Sequence, residues 1–122
     1  MATDDEFFAT REVDGVLVIV FRQSQILDAF TIDRMSSRLK ELIDPEDHPS
    51  VVCDLSRVGY LSSSALGMLI GLQRRVTQGG GRLRLSGVRD EIMEVFKITK
   101  LDTVLDMYKD LPSAIDAFRK KR

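Results

Sequence analysis

Asp14-Gly15 separates two β-rich runs, residues 7–13 and 16–21, and this dipeptide constrains the chain more than any other local feature. A type I′ turn needs positive φ at both central positions, which Asp-Gly tolerates, so the runs read as an antiparallel hairpin. After the polar stretch 22–25 the period changes. Ile32, Met35, Leu39 and Leu42, with Ile43 beside them, follow helical spacing until Asp44-Pro45 ends the run. Residues 50–55, with Val51, Val52 and Cys53 at their centre, read as a short buried strand.

Ala65, Leu69, Leu72 and Val76 place a second helix after a serine cluster, and Gly79-Gly80-Gly81 stops it with residues suited to a C-cap. Arg82-Leu83-Arg84-Leu85 alternates as a strand with one buried face does. A third helix is expected over 88–96, from Val88, Ile92, Val95 and Phe96, and a last strand over 104–108. Asp110, with Pro112 in the first turn, opens a terminal helix striped by Leu111, Ile115 and Phe118. The order β-β-α-β-α-β-α-β-α implies an α/β fold with a mixed sheet. Its core strands are parallel, and the N-terminal hairpin is antiparallel at or near an edge. With 122 residues, 43% of them hydrophobic, and no repeat or linker, residues 1–122 read as one domain.

Several chemistries are excluded or unsupported. Lys and Arg number 18 against 19 Asp and Glu, a net charge of −1 with the signs interspersed, so no basic stripe offers itself to nucleic acid. The longest same-sign run, Arg119-Lys120-Lys121-Arg122, reads as a complement to the last helix's dipole. A single Cys and a single His leave no disulfide and no zinc set, and Cys53 reads as a core residue. The longest apolar run, 16–21, is far short of the ~20 residues of a membrane span. The acidic start lacks the basic and apolar regions of a secretory signal, so a cytoplasmic location is expected. Ser62 or Ser63 on a strand–loop–helix turn has no G-x-S-x-G context, and His48, in an acidic loop, is the one possible base. The glycine triplet lacks the G-K-[ST] of a phosphate loop. Neither catalysis, nor a cofactor, nor a metal is expected.

In sheets of this kind function sits at the carboxyl ends of strands, where loops lead into helix N-termini. That places Ser56, Ser62, Ser63 and Ser64 at the candidate site. A helix N-terminus carries unpaired N–H groups and about half a positive charge, so a phosphate there, adding about −1.5 to −2 charge, is accommodated without unfolding. If Ala65, Leu69, Leu72 and Val76 face the sheet, then Ser64, Gly67, Met68, Gly71 and Arg75 lie on or near the opposite side. Two helical glycines cost about 1 kcal/mol each relative to alanine. Either a partner's close approach or a neighbouring loop packed over them would account for their presence.

The segment Asp54-Leu55-Ser56-Arg57-Val58-Gly59-Tyr60-Leu61-Ser62-Ser63-Ser64-Ala65-Leu66-Gly67 resembles the signature of the anti-sigma factor antagonists, the small STAS domains of bacterial partner-switching systems. The resemblance extends in element order over nearly the whole chain. It implies a phosphoacceptor at Ser63, ahead of Ser62 and Ser64, with Gly67 as the closing glycine; serine is a favoured N-cap, and Ser64 reads as the helix cap. The resemblance also implies a partner-binding surface of Ser62, Ser63, Ser64, Gly67, Met68, Gly71 and Arg75. The implied partners are an anti-sigma factor that is itself a serine kinase, with ATP bound by that partner, and a serine phosphatase. Two positions depart from the family pattern: Ser62 stands where aspartate is usual, and Ala65 where glycine is usual. The lost carboxylate favours an alternative in which the domain docks without phosphorylation, in a stress-signalling assembly or beside a transporter.

Overall fold

The computed structural model describes residues 3–119. Lys120, Lys121 and Arg122 of the basic run, and Met1 and Ala2 of the acidic start, lie outside the described residues. The elements are β1 (Thr3–Asp4), β2 (Phe8–Val13), β3 (Val16–Phe21), β4 (Gln25–Ile26), α1 (Ala29–Leu42), β5 (Ser50–Asp54), β6 (Tyr60–Leu61), α2 (Ser63–Gln78), β7 (Arg82–Ser86), α3 (Asp90–Ile98), β8 (Asp106–Tyr108) and α4 (Leu111–Arg119).

The hairpin closes as its turn chemistry requires. Asp14 and Gly15 have φ of 53° and 80°, and Val13 pairs with Val16 across the turn. β1 adds an antiparallel edge strand beyond β2, while β3, β5, β7 and β8 are successively parallel, giving the sheet order β1-β2-β3-β5-β7-β8. The larger core, on one face, draws Met35 and Leu39 from α1, Leu69 from α2 and Phe96 from α3 onto Phe8, Ile19, Phe21, Cys53 and Leu85. Phe8 and Phe21 meet edge to face at 4.9 Å and are fully buried, a burial worth roughly 1.5–3 kcal/mol for each ring. α4 covers the opposite face, where Ala114 and Ile115 pack on Val16, Val18 and Val52. Helices on both faces explain the unbroken apolar Val51-Val52-Cys53 of β5, since a strand covered on both sides has no polar face.

Four sequence expectations change. α3 begins at Asp90, not Val88, because Gly87 has φ +69° and Arg89 is extended at the N-cap; α3 then runs on to Ile98. The last strand begins at Asp106: a 3-10 turn over Leu101–Thr103 leaves Val104 exposed and buries Leu105. β7 has two buried faces, so Arg84 is 5% exposed under α4, its guanidinium 4.1 Å from the Phe118 ring and its Nε donating to Tyr108 Oη at 3.1 Å. In the glycine triplet only Gly80 has positive φ, at 87°. Gly79 serves close packing instead, since a Cβ there would lie 2.2 Å from the Pro45 carbonyl oxygen.

Candidate docking site at the start of α2

The serine cluster is held by two short strands absent from the sequence reading. β4 and β6 pair in parallel, Gln25 with Tyr60 and Ile26 with Leu61. The ladder is extended at both ends, by Gly59 N–H donating to the Ser24 carbonyl at 2.8 Å and Ser62 N–H to the Ile26 carbonyl at 2.9 Å. The segment entering α1 thus fixes the segment entering α2. Their signal was faint, since a two-residue strand carries no periodicity of its own.

Upstream, the Asp54 carboxylate accepts the Ser56 N–H at 2.9 Å, turning the chain as it leaves β5, and Arg89 Nε donates to the Ser56 carbonyl at 3.0 Å. Downstream, Ser62 is the N-cap of α2. Its backbone is extended (φ −78°, ψ 169°) and its Oγ accepts the Ala65 N–H at 3.2 Å. The cap is therefore Ser62, not Ser64, because the hydroxyl that can reach the N3 amide is the one on the residue before the first helical turn. An aspartate at this position would make the same hydrogen bond, so the departure from the family pattern keeps the cap and removes only the charge.

Ser63 and Ser64 occupy the first turn and are exposed. That turn contains no acidic residue, so the positive end of the helix dipole is uncompensated by its own side chains. Leu27, 45% exposed, follows the β4–β6 pair directly, and Tyr60, 58% exposed, lies within it. An apolar rim thus flanks the serines. Neither Leu27 nor Tyr60 was singled out from the sequence, where each reads as one apolar residue among many.

Further along α2 the expected surface divides. Gly67 and Gly71 are exposed, and a Cβ built on either meets nothing within 4 Å, which removes the alternative that a neighbouring loop packs over them. Met68 is buried rather than outward: it enters the core beside α1, since α1 and α2 pack together and the stripe expected to face solvent turns partly toward that contact. Arg75 is half-buried, with Nε lacking a hydrogen-bond partner. Ser64, Gly67, Gly71 and Arg75 line up along the helix, and the last three border a groove of about 530 Å³ between α1 and α2.

The remaining chemistry-bearing residues lie elsewhere. Cys53 is fully buried, and burial, with the neighbouring Asp54 charge, pushes its thiol up to about 12, which leaves it a core residue at neutral pH. His48 Nδ1 contacts the Gly79 carbonyl at the far end of α2. No group of three or more His, Cys, Asp or Glu among the described residues is placed to hold a metal ion, and none of the described helices is long and apolar enough to cross a membrane.

Fold and site define a small α/β protein with helices on both faces of a mixed sheet and a serine-rich helix start presented at its surface. The STAS domain family profile matches residues 8–114, and the chain belongs to that family. Among curated relatives, the anti-sigma F factor antagonist of Paenibacillus polymyxa is 25% identical over 101 residues, spanning 83% of this chain and 85% of the relative. The STAS domain protein of Planctomyces limnophilus superposes with a TM-score of 0.81 at 20% identity, covering 93% of this chain and 98% of that one. The Bacillus cell fate determinant SpoIIAA in its phosphorylated form superposes with a TM-score of 0.65 at 17% identity, covering 91% and 98%.

Proposed function

We propose that the chain is an anti-sigma factor antagonist. It binds an anti-sigma factor, itself a serine kinase, through the start of α2, and phosphorylation at Ser63 releases it. The observation that carries this reading is the placement of Ser63: exposed in the first turn of α2, next to a cap that is already satisfied, and flanked by the apolar Leu27 and Tyr60. The fold likeness and the names of the curated relatives support the same reading.

The physical argument is one of surface charge. Docking buries Leu27 and Tyr60 together with the serine hydroxyls. A phosphate on Ser63 adds about −1.5 to −2 charge, which the open end of α2 tolerates in the free protein. In the complex that charge must be desolvated or set against the partner, and this costs the affinity. ATP binds to the partner, a serine phosphatase restores the docking form, and this chain supplies no catalytic group. Incubation with the kinase and ATP, followed by peptide mapping, tests the switch: phosphate on Ser63 is expected, and phosphate confined to residues outside 62–64 overturns it.

A second reading, a STAS module that docks without phosphorylation, is favoured by Ser62 in the position usually held by aspartate. In that case Ser63→Ala and Ser63→Glu bind the partner equally well.

A further inference from the structure

The α1–α3 side of the sheet carries two exposed patches of opposite charge. One is the groove between α1 and α2, floored by the almost fully buried Leu39 and Leu72 and rimmed by Lys40, Arg74 and Arg75, with no carboxylate among the described residues that line it. Gly67 and Gly71, one turn apart on its rim, leave α2 without side chains at that point, so another helix can approach its backbone closely. Arg75 Nε is buried beside the groove with no acceptor.

The other surface is the outer stripe of α3. Glu91, Glu94, Val95 and Ile98 stand at i, i+3, i+4 and i+7, the spacing of one helix face, and all are exposed; Val95 is 40% and Ile98 77% accessible. Ile92 and Phe96 turn into the core, and Glu91 and Val95 also border a small pocket with Tyr60, Leu61 and Leu66, so the outermost part of the stripe is Glu94 and Ile98 with the exposed portion of Val95. It offers what the groove lacks: apolar side chains to lay over the bare Gly67 and Gly71, and two carboxylates for the three cations.

We propose that the chain self-associates through these surfaces, α3 of each copy lying in the α1–α2 groove of the other. All three helices cover the same face of the sheet, so a two-fold pair can make both contacts at once and close without propagating. Gly67 and Gly71 also border the docking surface described above, so the dimer and the complex with another partner exclude each other. The inference does not depend on phosphorylation of Ser63, and its test needs no partner protein.

Sedimentation velocity of the full chain from micromolar to millimolar concentration is the measurement. A weight-average sedimentation coefficient that rises with concentration, and falls when salt screens the charges, is expected. Lys40→Glu with Arg74→Glu, or Glu91→Lys with Glu94→Lys, should each leave the chain monomeric with an unchanged circular dichroism spectrum. An equimolar mixture of the two variants should recover the dimer, because each contact in the mixed pair again joins opposite charges. A wild-type chain that stays monomeric at every concentration overturns the proposal, as does a dimer that persists in both variants. A monomer whose Gly67 and Gly71 amide resonances move only on adding a synthetic Glu/Leu helix, or only on adding inorganic phosphate, also overturns it and assigns the groove to a different occupant.

Discussion

Ser62 Oγ accepts the Ala65 N–H at 3.2 Å, while the Ser62 N–H donates to the Ile26 carbonyl at 2.9 Å, so one residue both caps α2 and joins it to the strand that leads into α1. Ser62→Ala keeps the second bond and loses the first. A loss of about 1 kcal/mol is expected, and Ser62→Asp should restore it because a carboxylate caps equally well. Denaturant unfolding of the two variants checks both.

Gly67 and Gly71 separate stability from binding. Neither position opposes a Cβ sterically, so Gly67→Ala and Gly71→Ala should each stabilise the free protein by up to ~1 kcal/mol. If that face is a docking surface, the same variants bind the anti-sigma factor more weakly. Thermal unfolding and titration calorimetry on the same samples read the two effects, and variants that are both stabler and tighter would falsify the docking role.

The Ser63 side chain makes no hydrogen bond among the described residues and is exposed, so substitutions there should shift stability by no more than about 0.5 kcal/mol. Binding should respond differently. Ser63→Ala is expected to bind as the unphosphorylated chain does, and Ser63→Glu more than tenfold more weakly, a difference of about 1.4 kcal/mol.

Asp5 gives stability an acid-sensitive component. Partial burial acts to raise its pKa, but hydrogen bonds from Arg38 and from the Phe8 and Phe7 amides outweigh this and hold the carboxyl below its ordinary value. A group depressed in the folded state stabilises fully above its unfolded pKa of ~4 and loses that contribution as pH falls through the lower folded value. Asp28 and Asp110, lowered by hydrogen bonds from Thr31 and Ser113 at helix starts, act in the same direction. Asp5→Asn should therefore be less stable than wild type at neutral pH, with the difference closing below pH ~4. Urea unfolding at stepped pH follows it.

Arg84 is the buried charge whose removal should cost little. Its Nη1 has no hydrogen-bond partner and Asp106 Oδ2 lies 4.0 Å from Nε, so the Tyr108 hydroxyl and the Phe118 ring are left to offset its desolvation. Arg84→Met, which keeps the packing against Phe118, is expected to leave the melting temperature unchanged or raise it.

Most of the fold was legible because its elements carry strong local signals: Asp14-Gly15 at the hairpin, helical spacing in α1 and α2, and Asp110 with Pro112 at the start of α4. Errors arose where a local pattern competed with a tertiary contact. Val88 and Val104 match the expected helix and strand, but the positive φ of Gly87 and the 3-10 turn before Leu105 move both boundaries. Arg84 alternates like a surface residue, and only the packing of α4 shows that it is covered.

The sequence by itself determined the class of fold, the family resemblance and the serine-rich helix start, because hydrophobic periodicity and turn chemistry act between near neighbours. Tertiary structure decided which serine caps, which is left free, and which side of α2 is open. Those outcomes depend on contacts between distant segments. β4 must meet β6 before Ser62 is fixed, and α1 must pack on α2 before Met68 is buried and the two glycines are left bare.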